Sequence, residues 1–320
     1  MEIKAPFPWF GGKSRAAGAI WQRLGDVQNY VEPFAGSLAV LLQRPHEPRT
    51  ETVNDLDCYL ANFWRAVAHE PEAVAAYADW PCNEADLHAR HTWLIGREWF
   101  RERMKAEPDF YDVKIAGWWV WGQSLWIGSG WCDADCYFDG DQKLPHLGDA
   151  GRGVHRPSQQ LPHLGNAQGV HRTADGSIYD YFAHLGARLR RVRVACGDWS
   201  RVLGDSVTFR HGVTGVLLDP PYGHDERQAD LYANDLDVAP AVRDWAIEYG
   251  DNPLMRIALC GYEEEHEMPK GWTVHRWKAR GGYGSQGDGS GRANAARETI
   301  WFSPHCLPER ELTLFGMAAD

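Results

Sequence analysis

The stretch that decides the fold is Thr214-Gly215-Val216-Leu217-Leu218-Asp219-Pro220-Pro221-Tyr222, an apolar run that stops at an acid and two prolines. A short, unbroken apolar run is typical of a strand that is buried on both faces of a parallel sheet. The prolines cannot continue such a strand, so we expect the chain to turn directly after Asp219. Because open α/β sheets bind ligands beyond the carboxyl ends of their strands, Asp219 is predicted to face a ligand crevice.

The same alternation of strands and helices recurs on both sides of this stretch. It predicts an α/β fold with a parallel sheet and crossover helices. The predicted helices cover 14–25, 38–42 (a buried start) and 56–69, and the predicted strands cover 30–31, 51–55, 191–196, 214–219, 253–260 and 298–302.

The middle of the chain has a different character. Eight tryptophans lie there, at 80, 93, 99, 118, 119, 121, 126 and 131. We interpret Trp118, Trp119, Trp121 and Trp126 as a packed core, with base stacking as the alternative. A near-repeat follows, since Leu144–Ala150 resembles Leu161–Ala167, and two copies are too few for a solenoid. We therefore predict a catalytic domain formed by 1–79 and 182–320, interrupted by an inserted recognition region at 80–181.

Composition limits the class of protein. No apolar run of about 18 residues occurs and the start lacks a signal-peptide core, so the sequence predicts a cytoplasmic protein without membrane contact. Seven scattered cysteines favour reduced thiols, and only Cys132 and Cys136 lie close enough together to suggest a zinc site, which the missing short Cys-x2-Cys pair disfavours. The net charge of −11 argues mildly against nucleic-acid binding.

A second group of residues has the character of a nucleotide-binding turn. Glu32-Pro33-Phe34-Ala35-Gly36-Ser37 follows a predicted strand, and its glycine would let a ligand approach the backbone. Asp55 ends the next strand nineteen residues after Gly36, where an acid can accept hydrogen bonds from ribose hydroxyls.

A third group is Phe7-Pro8-Trp9-Phe10-Gly11-Gly12-Lys13-Ser14. Its Gly-Gly-Lys-Ser is similar to a phosphate-binding loop, but the first glycine of that loop is missing and no strand precedes it, so an ATPase is disfavoured. Lys13 is expected to meet a carboxylate instead, and Trp9 to pack over a sulfonium or amino-acid group.

Taken together and in this order, these segments resemble the Dam-type DNA adenine-N6 methyltransferases over 1–65 and 188–304. The resemblance implies a Rossmann-like, S-adenosylmethionine-dependent methyltransferase sheet with an inserted target-recognition region. Leu38 departs from the pattern, because many relatives carry a second glycine there. The residues that the resemblance assigns to the cofactor are Trp9, Gly11, Gly12, Lys13, Glu32, Pro33, Phe34, Gly36, Asp55, Asp198 and Trp199.

The chemistry of methyl transfer explains the catalytic tetrapeptide Asp219, Pro220, Pro221 and Tyr222. An adenine amino nitrogen is a poor nucleophile until its lone pair localises, which two acceptors aimed at its hydrogens favour: the Asp219 carboxylate and the Pro220 carbonyl. The prolines hold both in place, and Tyr222 can stack on a base flipped out of a duplex. We expect direct transfer from S-adenosylmethionine, without a covalent intermediate or a metal.

DNA is the expected partner, and the sequence offers several cations for it. They are Arg156, Arg172, Arg188, Arg190 and Arg191. Two alternatives stay open: methylation of N4 of cytosine by the same kind of loop, and a non-catalytic nucleic-acid-binding protein built on a methyltransferase-like core. The sequence leaves the target site and a restriction endonuclease partner open.

Overall fold

The fold is described from a computed structural model of the 320-residue chain. The described residues are 3–7, 9, 12–81, 83–126, 130–132, 178–221, 238–263, 265–277 and 298–309. The helices of this part are α1 Ala17–Leu24, α2 Cys58–His69, α3 Pro71–Ala78, α4 Glu84–Ile95, α5 Glu98–Ala106, α6 Val113–Leu125, α7 Ile178–Leu189 and α8 Val238–Gly250.

The centre of the fold is a seven-stranded sheet in the order β3-β2-β1-β4-β5-β7-β6. The first five of these neighbours pair in parallel, and β7 runs antiparallel to both β5 and β6. The predicted α/β class with a Rossmann-like methyltransferase sheet is thereby confirmed. The strands are β1 Asn29–Glu32, β2 Thr50–Asp55, β3 Arg193–Cys196, β4 Thr214–Leu218, β5 Met255–Tyr262, β6 Thr273–Arg276 and β7 Glu298–Phe302.

The strand order reverses direction between β1 and β4. The chain continues from β1 towards β2 on one side and from β4 towards β5 on the other. Connections that leave in opposite directions open a crevice beyond the carboxyl ends of two such strands. All five residues of β4 are buried, as expected for its apolar run, and Asp219 follows its last residue at this crevice.

Local signals in the sequence set the ends of the helices that frame the sheet. Asp57 caps α2, since its carboxylate accepts hydrogen bonds from the amides of Tyr59 and Leu60. Helix α1 ends at Gly25, whose φ of 66° is readily adopted only without a side chain. The prediction of a buried helix start over 38–42 was wrong in detail, because only a short 3-10 turn, Leu41–Gln43, forms there.

The helices α3 to α6 pack against the central sheet and its helices α1, α2 and α7 through one continuous core. Trp119 of α6 contacts Phe7 and Phe63, with ring centroids 5.2 and 5.8 Å apart. Trp119, Trp121 and Trp126 are buried, which confirms the predicted core for these three, whereas Trp118 is half-buried. In the described part of the chain, no helix combines the length and apolar character that crossing a bilayer requires.

Candidate active site

Lys13 lies at the centre of the crevice and binds the carboxylate that follows β4. Its Nζ is 2.8 Å from Oδ1 of Asp219 and 3.8 Å from Oε2 of Glu298, the first residue of β7. Burial alone would lower the pKa of Lys13, but the two carboxylates outweigh it and raise that pKa above the ordinary value. The ammonium therefore stays charged, and the expectation that Lys13 meets a carboxylate is confirmed.

Glu32, at the end of β1, adds a third acid close to this ion pair. Its side chain is buried, and its Oε2 accepts a hydrogen bond of 3.1 Å from the Tyr30 hydroxyl. Burial raises the pKa of Glu32 well above its usual range, and the nearby Asp219 charge raises it further, while the bond from Tyr30 lowers it. The crevice thus holds more acids than cations, and a proton on Glu32 reduces the imbalance.

Asp55, at the end of β2, ties two segments of the crevice together. Its Oδ2 accepts from the Gly36 amide at 3.0 Å and its Oδ1 from the Asp57 amide at 2.9 Å. Burial, with the charge of Asp57, raises the pKa of Asp55 to about 7, although the backbone hydrogen bonds oppose the rise. Because a carboxylate offers about four lone-pair sites, these amides and that of Leu56 still leave Asp55 capacity for a hydroxyl donor.

The turn after β1 is shaped by two residues with positive φ. Gly36 has φ of 46°, and a Cβ there would lie 2.8 Å from Nε1 of Trp9, so the indole rests directly on the glycine. The carbonyl of Gly36 accepts a hydrogen bond from Nε1 of Trp64 at 3.0 Å. Leu38, where the family pattern has a second glycine, has φ of 54°, which explains why glycine suits that position.

Asn54 connects the loops that follow β1 and β3, a role that the sequence did not reveal. Its buried Nδ2 donates to the carbonyls of Pro33 at 3.0 Å and Gly197 at 2.9 Å. The Gly197 amide in turn donates to the Asp55 carbonyl. The signal available in the sequence was an amide side chain next to an acid at the end of an apolar strand.

Two aromatic rings form one wall of the crevice beyond β1 and β3. Phe34 and Trp199 lie nearly parallel, at an interplanar angle of 23° with centroids 6.3 Å apart, and both are half-buried. Asp198 directly precedes Trp199 and caps the 3-10 turn Trp199–Val202 by accepting from the Ser200 amide. Flat apolar surfaces of this kind suit a purine base.

Thirteen of the residues predicted for the cofactor and for catalysis belong to the described part of the chain. Trp9, Gly12, Lys13, Glu32, Pro33, Phe34, Gly36, Asp55, Asp198, Trp199, Asp219, Pro220 and Pro221 all belong to the described residues. Gly11, Tyr222, Arg156 and Arg172 lie outside them, as does the near-repeat. Glu298, which contacts Lys13, was predicted only as the start of a strand.

The three described arginines of the predicted DNA contacts lie at the opposite edge of the sheet. They end α7 and precede β3, so they are near the amino ends of the parallel strands. Arg188 forms an ion pair with buried Glu51, 2.7 Å from Oε2 to Nη1, while Arg190 and Arg191 are exposed. This placement ties Arg188 to the packing of α7 and does not favour a DNA contact beside Asp219.

A metal site has little support among the described residues. No group of three or more His, Cys, Asp or Glu side chains there could hold an ion. Cys132 is buried, and its amide donates to Nδ1 of His91 at 3.3 Å. The zinc alternative also needs Cys136, which lies outside the described residues.

Comparison with known proteins gives one family match. Residues 9–109 match the model described as D12 class N6 adenine-specific DNA methyltransferase. The match includes Trp9, Lys13, the turn after β1 and Asp55, and it continues past residue 80 into α4 and α5. The match therefore extends past residue 65, where the resemblance predicted from the motifs ended. No curated protein sequence matches the chain.

Proposed function

We propose that this chain, which its motifs and family match identify as an N6 adenine-specific DNA methyltransferase, transfers the methyl group of S-adenosylmethionine to adenine at a defined target sequence in duplex DNA. The observation that carries the proposal is the ion pair of Lys13 with Asp219 at the strand-order reversal. It holds an oxygen acceptor where a ligand and a base can meet.

The crevice residues suit S-adenosylmethionine. Asp55 offers acceptors to the ribose hydroxyls, and its pKa of about 7 leaves much of it ionised at neutral pH. The wall of Phe34 and Trp199 suits the adenine of the ligand, and the Gly36 turn leaves room for close approach to the backbone. When bound, S-adenosylmethionine supplies an electrophilic methyl group on a sulfonium.

Asp219 and Pro220 orient the amino group of the target base. A carboxylate that holds Lys13 on Oδ1 still has lone-pair capacity, so Asp219 can accept an amino hydrogen as well. Pro220 contributes a backbone carbonyl on a loop whose φ angles are fixed by two prolines. Two such acceptors localise the nitrogen lone pair, and their prior fixation lowers the cost of reaching the transition state.

A base inside a duplex cannot reach this crevice, so the target adenine has to be flipped out of the stack. Tyr222 is proposed to stack on the flipped base, as the resemblance implies. A restriction endonuclease partner is not needed for any of these steps.

The test replaces Asp219 by asparagine, which keeps the size of the side chain but removes its charge. Loss of one preorganised electrostatic contact typically costs about 100- to 1,000-fold in rate, so D219N should lose at least that much methylation. Calorimetry should show S-adenosylmethionine binding within a few-fold of the parent. D205N, at an acid 45% exposed by side chain and outside the crevice, serves as the matched control and should stay fully active.

The product is identified by mass analysis of nucleosides from treated DNA. N6-methyladenine is expected, whereas N4-methylcytosine would replace the proposal by its nearest alternative. Full activity of D219N would refute the assigned mechanism. A parent chain that produces no heat with S-adenosylmethionine would support the non-catalytic alternative instead.

A further inference from the structure

A surface of alternating cations and indoles lies on α4, α6 and the residue after Gly96. We call it the cationic tryptophan surface and define it as Arg90, Trp93, Arg97, Lys114 and Trp118. All except Arg90 are half-buried, so their outer atoms reach solvent. None of them takes part in the chemistry proposed for the crevice.

Each cation of this surface lies over an indole ring. Nζ of Lys114 is 4.6 Å from the ring centroid of Trp93 and 4.4 Å from that of Trp118. Arg97 lies 4.1 Å above Trp93, and Arg90 lies 4.9 Å above Trp118. Cation–π contacts of this kind occur about once per 70–80 residues in proteins, so a continuous series of four is a concentrated feature.

Two of the three cations of the surface, Arg97 and Lys114, form no ion pair with a described carboxylate, whereas Arg90 has Asp86 one turn earlier on α4. Within the described ranges, no acid lies within 4.0 Å of Arg90, Arg97 or Lys114. One guanidinium nitrogen of Arg90, a residue 6% exposed, and Nε of Arg97 are buried and make no hydrogen bond. Burial lowers the pKa of Arg90 to about 10, although the charge of Asp86 opposes the fall, and Arg90 stays charged at neutral pH.

A neighbouring contact shows what a neutralised cation looks like in this chain. Arg103 of α5 lies 3.9 Å above the Phe110 ring, yet its Nη2 is also 2.7 Å from Oε2 of Glu107. Among the described residues, Arg97 and Lys114 of the cationic tryptophan surface lack such an ion pair, in a protein whose net charge is −11. Uncompensated cations in an acidic protein indicate an anionic ligand.

The surface begins close to the proposed cofactor crevice. The Tyr59 hydroxyl donates to the Leu94 carbonyl at 2.7 Å, so the end of α4 lies beside the first turn of α2. Helix α2 begins three residues after Asp55. The α4 end of the surface therefore lies near the carboxyl end of β2.

We propose that the cationic tryptophan surface binds the phosphate backbone of the substrate duplex next to the target base. This inference rests on the proposed function. Lys114 covers the faces of Trp93 and Trp118, so the surface presents charge and not open aromatic faces. That favours phosphate over stacking on unpaired bases, which needs uncovered rings.

The test measures how DNA affinity depends on salt. A fluorescent 30-base-pair duplex is titrated with the full chain at several salt concentrations, and log K is plotted against log salt. Each phosphate contact contributes about 0.9 to the slope, so K114Q and R97Q should each lower its magnitude by about 0.9 and the double variant by about twice that. S-adenosylmethionine affinity, measured by calorimetry, should not change.

The matched control is R103Q, which removes a cation from an aromatic ring but one already paired with Glu107. Its slope should equal that of the parent. A double variant with the same slope as the parent would overturn the proposal. The surface would then bind an acidic protein or contribute only to the stability of the fold. Methylation by the parent tests the proposed function separately, because that function can hold when the slopes do not change.

Discussion

At the scale of single residues, the most informative position is Leu38. Its side chain is fully buried in the core, while its φ of 54° belongs to the left-handed region that favours glycine. An L-residue pays about 1–2 kcal/mol for this conformation. The leucine therefore gains buried apolar area but carries backbone strain. The glycine of the family pattern would avoid that strain.

Two substitutions separate these contributions. Removal of a buried leucine typically costs about 2–5 kcal/mol, so both L38A and L38G should destabilise the protein. At an ordinary position glycine is less stable than alanine by about 0.5–1 kcal/mol. Here we expect L38G to be at least as stable as L38A, measured as the free energy of unfolding in urea, because glycine relieves the strain.

The opposite order, with L38G about 1 kcal/mol below L38A, would show that the left-handed backbone carries no strain. Cofactor affinity of the two variants gives a second comparison, since residue 38 lies in the turn that positions Gly36. We expect L38G to retain that affinity better than L38A.

At the scale of elements, Lys13 joins segments that are far apart in sequence. Through Asp219 and Glu298, Lys13 connects the segment before α1 with the end of β4 and the start of β7. Breaking a buried ion pair by removing one partner typically costs about 3–5 kcal/mol. Asp219 is 22% exposed by side chain, so solvent screening places the expected loss for K13M at or below the lower end of that range.

K13M should also lower the rate of methylation. Without the ammonium, the Asp219 carboxylate loses the contact that holds it at the crevice, so this acceptor is no longer fixed before the base arrives. K13R keeps the charge and should retain more of the rate than K13M, measured as methyl groups transferred to duplex DNA per minute. A K13M rate equal to that of the parent would assign Lys13 a purely structural role.

The sequence was a good guide to these elements wherever the signal was local. The apolar run of β4 and the acid that follows it predicted both the strand and its place in the sheet. Glu298 was missed as a partner of Lys13 because their contact depends on the antiparallel pairing of β5 with β7, which no local pattern specifies. The short strand β6, with mostly exposed residues, lacked the alternation that would have predicted it.

At the scale of the whole molecule, the predicted division of the chain needs a physical qualification. The sequence separated the sheet domain from a region beginning at residue 80, because the composition changes there. Composition does not reveal packing partners, however, and Trp119 of α6 lies against Phe7 and Phe63 of the sheet domain. Phe7 also contacts Trp9, which rests on Gly36. The core therefore runs from α6 to the turn after β1, where the cofactor is proposed to bind.

This continuity predicts a single cooperative unfolding transition. Substitution of a fully buried tryptophan by alanine typically costs about 3–5 kcal/mol, so W119A should lose that much free energy of unfolding. Far-ultraviolet circular dichroism and S-adenosylmethionine binding should be lost together in urea, in the parent and in W119A alike. W99F, at a tryptophan 43% exposed, is the control and should unfold as the parent does. Two separate transitions would mean that α3 to α6 fold independently. The contact between α6 and the turn after β1 would then join two separately folding units and would not belong to one shared core.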